Sequence, residues 1–123
     1  MREADLVRKI MAAVKRLRPN AVIWKLSDRY TRGLPDLLIL VPGFRIAWSG
    51  SVVKGTEGAT HIFAVECKAR RGRLEKLQAE QGKKLASLPG CRWVVARCVE
   101  DVTEPIRWLS SYKDKGNSNH GQD

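Results

Sequence analysis

The segment Leu37-Leu38-Ile39-Leu40-Val41 constrains this chain more than any other: five aliphatic residues without a polar interruption, opened by Gly33-Leu34-Pro35-Asp36 and closed by Pro42-Gly43. Prolines on both sides separate the run from any helix, and its length is that of a strand. Side chains alternate between the two faces of a strand, so one that is apolar at every position must be covered on both. The run therefore predicts a buried strand inside a sheet, with helices on its faces. It is the longest aliphatic run in the chain, and a membrane-crossing helix would need about 20 such residues. The start, Met1-Arg2-Glu3-Ala4-Asp5, has no apolar core behind a basic segment. The expectation is a protein with neither a membrane span nor a signal peptide.

The other elements follow from periodicity. Leu6, Val7, Ile10, Met11, Val14 and Leu17 recur at helical spacing, with Arg8, Lys9, Ala12, Lys15 and Arg16 opposite, which predicts an amphipathic helix over Glu3 to Leu17 with a basic outer face. Ala21 to Leu26 reads as a short strand, and Ser27 to Gly33 as a turn-rich approach to the buried strand. Phe44 to Trp48 reads as the start of a hairpin, Ser49 to Thr60 as its mobile loop, and His61 to Lys68 as the return strand. A basic loop, Ala69-Arg70-Arg71-Gly72-Arg73, leads into a helix over Leu74 to Leu88, stopped by Pro89-Gly90. Gly82 weakens that helix by about 1 kcal/mol relative to alanine, which points to packing in its middle. A strand over Arg92 to Val99 and a last helix, capped through Asp101 and Glu104 and reaching Ser111, complete an α-β-β-β-α-β-α order. Lys113 to Asp123 contains no apolar residue and is expected to be a disordered tail, leaving one domain over residues 1–112. The fold class is α/β: a small mixed sheet flanked by helices.

Function shows where polar residues interrupt this pattern. In the return strand Glu66 and Lys68 share a face, opposite Phe63, Val65 and Cys67. Taken alone, Glu66-x-Lys68 is an ordinary ion pair. Asp36, at the mouth of the apolar strand, is by itself a turn aspartate. Glu3 falls on the buried stripe of the first helix, although a first-turn acid is also favoured by the helix dipole. Gln78 and Gln81 fill the gap in the leucine stripe of the second helix, Leu74, Leu77, Leu85 and Leu88, where either would be a satisfied structural amide. Together they put three carboxylates, a lysine and one or two amides at the ends of different elements, all turned toward the core. Carboxylate oxygens with few His or Cys neighbours suit a hard cation, Mg²⁺ or Mn²⁺. The net charge of +10 makes a nucleic-acid phosphodiester the natural anion for such a site. Two histidines and three cysteines without a CxxC spacing fit neither a zinc finger nor a disulfide framework, and suit a reducing cytoplasm.

Gly33-x-Pro35-Asp36, Glu66-x-Lys68 and Gly72-Arg73-Leu74-x-x-x-Gln78, in that order, resemble the PD-(D/E)xK nuclease superfamily and, within it, the virus-type replication-repair nuclease (VRR-NUC) family. The resemblance spans residue 3 to about residue 100. It implies that Asp36, Glu66 and the Cys67 backbone carbonyl are metal ligands, that Glu3 binds metal directly or through water, and that Lys68 positions and activates the attacking water. Gln78, six residues after Gly72, matches the family glutamine better than Gln81, which stays open. The segment Phe44 to Thr60 departs from the compact pattern and is either a substrate-contacting flap or an insertion.

The resemblance further implies a Mg²⁺- or Mn²⁺-dependent endonuclease without a small-molecule cofactor. Stand-alone phage and bacterial members act as homodimers on branched DNA such as Holliday junctions, in DNA repair, within a bacterial or phage-infected cytoplasm. Arg70, Arg71, Arg73 and Lys76 follow the catalytic strand and are placed for phosphate contacts. Arg29, Tyr30 and Arg32 precede the Asp36 strand and suit the backbone or an unpaired base. The four tryptophans, Trp24, Trp48, Trp93 and Trp108, are expected in the core or an interface. Two alternatives remain: a non-catalytic basic nucleic-acid-binding module of the same fold, and a restriction-like nuclease acting on plain duplex.

Overall fold

The computed structural model describes residues 1–26, 32–43 and 60–109. Arg29, Tyr30, Trp48, the expected hairpin start, all of its loop except Thr60, and the expected tail lie outside them. The elements are α1 (Glu3–Leu17), β1 (Val22–Lys25), β2 (Leu37–Val41), β3 (His61–Cys67), α2 (Lys76–Ala86) and β4 (Cys91–Ala96), followed by a helix, α3, over residues 100–109. This is the predicted order.

The four strands form one sheet in the order β1-β2-β3-β4. β1 and β2 are antiparallel, as are β2 and β3, with Leu37 opposite Val65 and Val41 opposite His61. β4 joins β3 in parallel, with Glu66 opposite Val95, because α2 carries the chain back between them. β2 and β3 are therefore the inner strands, which is where the uninterrupted run of β2 requires it to be. β3 is buried from Phe63 to its end at Cys67.

One face of the sheet holds the core. Leu37, Ile39 and Val41 of β2 and Phe63, Val65 and Cys67 of β3 pack with Leu6, Val7, Ile10 and Val14 of α1 and with Val102 and Ile106 of α3. Each such aliphatic residue contributes roughly 1.5–3 kcal/mol through burial. The predicted basic face of α1 is exposed from Arg8 to Arg16, at Arg8, Lys9, Ala12, Lys15 and Arg16.

The second face is covered differently from expectation. α2 is shorter than predicted, and its leucines do not form a buried stripe: Leu77 is 38% and Leu88 54% exposed. Its one buried residue is Gly82. A Cβ added there would fall 2.0 Å from Trp93 Cε2, so the helix backbone lies directly on the indole of β4. The packing inferred from a glycine in mid-helix is present, and its partner is an aromatic ring. Trp93 is packed as expected, whereas Trp24 and Trp108 are 56% and 66% exposed and do not belong to the core.

β4 also ends earlier than the predicted Val99. Asp101 Oδ2 accepts hydrogen bonds from the backbone N–H groups of Arg97 (2.9 Å) and Cys98 (3.3 Å), which pulls these residues out of the strand path. Asp101 was expected to cap the helix that follows it. It instead sits inside the first turn of α3 and bonds backward.

The seating of α2 gives a direct test. Gly82→Ala should gain about 1 kcal/mol in helix propensity, yet overpacking against the Trp93 ring should outweigh that gain and leave the variant about 1–3 kcal/mol less stable. Urea unfolding measures the difference, and a variant as stable as wild type would contradict the contact.

Candidate active site

The site grows out of the register between β2 and β3. Leu37 pairs with Val65, so one step outward Asp36 comes abreast of Glu66. The Asp36 N–H donates to the Val65 carbonyl at 2.9 Å, and the Cys67 N–H donates to Asp36 Oδ2 at 2.7 Å. Alternation turns Asp36 and Glu66 to the face opposite the main core. Gly33 shapes the approach to this row. Its φ is +82°, and a Cβ there would stand 2.8 Å from the Leu77 carbonyl oxygen, so the turn before Asp36 lies against the first turn of α2.

Glu66 is 3% exposed, and its Oε1 is buried without a hydrogen-bond partner. A buried, unsatisfied carboxylate oxygen is costly and calls for a proton or a cation. Burial is the main cause that pushes the Glu66 carboxyl up to about 8; the hydrogen bond and negative charge of Asp36 add to it, Lys68 opposes it, and Glu3 adds a little more. Cys67 is pushed up to about 12 by burial, then by Asp36, Glu66 and Glu3, so its thiol is inert and only its backbone is available to the site.

Lys68 lies one residue beyond β3 and is 8% exposed, with its N–H held by the Ala96 carbonyl of β4 at 2.9 Å. Its Nζ stands 4.0 Å from Glu3 Oε1 at the start of α1, where the Glu3 side chain is half exposed. Thus four of the expected residues, Glu3, Asp36, Glu66 and Lys68, converge from α1, the start of β2 and the end of β3. Among the described residues no three His, Cys, Asp or Glu side chains form a ready-made cation cage. Two carboxylates with an orphaned oxygen, next to a backbone carbonyl, nevertheless suit an ion that keeps most of its waters and takes further ligands from a phosphate.

Gln78 is bonded within its own helix turn. Its Oε1 accepts the Glu75 N–H at 3.0 Å, and the Glu75 side chain reciprocates, so the amide completes a capping box at the start of α2. Gln78 and Gln81 are both only half buried. Arg32, Arg70, Arg71, Arg73 and Lys76 are exposed, and Arg29 lies outside the described residues.

One residue with a clear structural role was not singled out by the sequence. Arg97 Nη1 donates to the carbonyls of Ala69 (2.9 Å), Arg70 (3.3 Å) and Gly72 (2.7 Å). Nothing in its spacing distinguishes it from the other surface arginines.

No family model and no curated protein matches the chain. Among solved structures, a chain described as a "VRR_NUC domain" superposes with a TM-score of 0.59 at 18% sequence identity, covering 87% of this chain and 96% of that one. The four-stranded mixed sheet with its flanking helices is thus a nuclease-type fold. More narrowly, it is a VRR-NUC-like fold. No described helix is long and apolar enough to cross a membrane.

The raised Glu66 carboxyl has a consequence for stability. Between the ordinary 4.5 and about 8, the folded protein holds a proton that the unfolded chain has released, so the Glu66 contribution to stability is greatest at low pH and is lost as pH rises through this window. Glu66→Gln mimics the protonated form. Without metal it should match wild type near pH 5, in thermal melts, and exceed it by at least about 5 °C at pH 8. Millimolar Mg²⁺ at pH 8 should raise the Tm of wild type more than that of the variant. A wild-type to variant difference that does not change with pH would rule out this account of Glu66.

Proposed function

We propose that this chain is a Mg²⁺- or Mn²⁺-dependent endodeoxyribonuclease that hydrolyses phosphodiester bonds in branched DNA. The observation that carries the proposal is the pairing of part-buried Asp36 with buried Glu66, with an unpartnered Glu66 oxygen and the Lys68 side chain alongside. Structural ion pairs satisfy their buried oxygens, whereas a site built to receive a cation leaves one waiting.

Asp36, Glu66 and the Cys67 carbonyl would hold the ion, with Glu3 joining directly or through water. A bound divalent cation would neutralise the carboxylates and polarise the scissile phosphate. The remaining work falls to the chain's own groups. Lys68 hydrogen-bonds the attacking water, orients it toward phosphorus, and offsets negative charge as the pentacovalent phosphorane forms. Glu3, at 4.0 Å, fixes where that ammonium points. Arg70, Arg71 and Arg73 grip phosphates flanking the scissile one, with Arg32, Lys76 and Arg29 extending the contact along the backbone. Gln78 acts at one remove, by capping α2 against the Gly33 turn. Residues 1–112 are the nuclease domain, and the polar residues that follow are a tail without a catalytic part.

The preference for branched DNA and a homodimeric state rest on the VRR-NUC-like fold and on the resemblance of the motifs to junction-cutting members. Exposed Trp24 and Trp108 are apolar surface that a second copy would cover. A dimer places two sites on one substrate, as paired nicks require.

Cleavage of a labelled four-way junction and a matching linear duplex tests the proposal, using wild type and Lys68→Ala with Mg²⁺, Mn²⁺ or EDTA. Wild type should nick the junction symmetrically and only with metal, faster than the duplex, while Lys68→Ala loses at least about 100-fold in rate but keeps its DNA affinity. Equal rates on both substrates would make it a general duplex nuclease. Binding without cleavage under any metal would make it a basic binding module. Light scattering should give a mass about twice the 13.8 kDa of one chain.

A further inference from the structure

Arg97 takes no part in the carboxylate pair, yet it is tied to the chain segment that leaves the catalytic strand. Its Nη1 meets the carbonyl oxygens of Ala69, Arg70 and Gly72 at 2.9, 3.3 and 2.7 Å. The turn they belong to is closed on itself by the Gly72 N–H, which donates to the Ala69 carbonyl at 2.8 Å. Arg97 is in turn fixed from behind, because its own N–H is held by Asp101 Oδ2 at 2.9 Å. The residue before it, Ala96, accepts the Lys68 N–H. The end of β4 thus grips two successive pieces of chain: the backbone of Lys68 and the turn that follows it.

The chemistry of this arrangement is unusual for a surface arginine. The turn already carries Arg70 and Arg71, with Arg73 just beyond, so a fourth cation among them is repelled at short range. A guanidinium free to choose would swing into solvent or toward an anion. Arg97 is instead directed onto backbone carbonyls, whose partial negative charge offsets the repulsion and whose positions it fixes. Carbonyls held on one side leave the side chains of Arg70 and Arg71 no freedom to follow a drifting backbone.

We infer that Arg97 is a positioning residue: it clamps the 69–72 turn so that Arg70, Arg71 and Arg73 are presented to the DNA backbone beside the site. The DNA part of this rests on the nuclease reading above; the clamp does not.

The turn contains its own reporters, since trypsin cuts after arginine. The full chain and Arg97→Met are digested briefly without DNA, and the fragments are identified by mass. Cleavage after Arg70, Arg71 and Arg73 should be faster in the variant by at least about tenfold, with cleavage after Arg8 and Lys15 in α1 unchanged. Unchanged cutting in the turn overturns the clamp, as does a uniform rise at all sites, which would mean general unfolding. Should Arg97→Met fail to fold, Arg97→Gln, whose amide is too short to reach all three carbonyls, is read by the same criteria.

Junction affinity in EDTA then tests the DNA part. Arg97→Met should weaken binding about tenfold in the wild-type background but less than about twofold when Arg70, Arg71 and Arg73 are already alanine. An undiminished loss in that background would make Arg97 a phosphate ligand itself and overturn the positioning role. A wild type that binds no DNA at all would end the nuclease reading and the DNA part with it, while the trypsin comparison still decides the clamp.

Discussion

The hydrogen bond from the Cys67 N–H to the Asp36 carboxylate is the interaction on which the site depends. Along an inner strand a backbone donor ordinarily meets a backbone acceptor of its neighbour. At this point the β2–β3 ladder hands over to a side chain, and that exchange brings a carboxylate from the mouth of β2 alongside Glu66 at the end of β3. The bond holds the Asp36 carboxylate in place, while the second carboxyl, deeper and with one oxygen unsatisfied, is pushed up to about 8. Without this exchange the two acids would be neighbours by register only. With it they form one unit, in a place where a small divalent ion would be better accommodated than a second negative charge.

Much of the fold was legible because the most constrained segments are also the simplest. Leu37 to Val41 could only be an inner strand, and the 3.6-residue period of α1 separated its buried stripe from its basic face without ambiguity. Leucines in α2 were misleading because the helix is seated by the absence of a side chain. Gly82 brings backbone onto the Trp93 ring, so the residues flanking it need not be buried. Helix periodicity describes where side chains go, and it carries little information about a contact made where there is none. The end of β4 was missed for a related reason: the apolar run continues to Val99, but Asp101, only three and four residues further on, withdraws two amides from the strand through its side chain, which apolar periodicity does not report.

Within the candidate site, Asp36, Glu66 and Lys68 were legible through two short motifs on different strands, and their convergence is a property of register. Glu3 was readable only as one acid on a helix face until α1 packed and set it beside Lys68. Gln78 has a local role that spacing alone did not reveal. The residue is where the motif puts it, and its carbonyl oxygen is used by the helix that carries it. The superposition with a VRR_NUC domain at 18% identity fits this division. Sheet order and helix placement persist through replacement of most side chains, since they require only apolar residues of suitable size and period.

Gly33 illustrates how architecture and chemistry can be confused in a motif. Its backbone conformation and its closeness to the Leu77 carbonyl leave no room for a methyl group, so any larger residue would push the Asp36 turn away from α2. In a genetic screen scored by loss of function, such a change would be indistinguishable from a lesion in the carboxylates, although glycine has no group that could touch a reacting atom. The motif is thus a composite of two demands, one on charge at Asp36 and one on space at Gly33, and only the second would persist in a chain that had lost the carboxylate. A chain that kept Gly33 while losing Lys68 would keep the seat of α2 against the Asp36 turn and lose only the positive charge beside it.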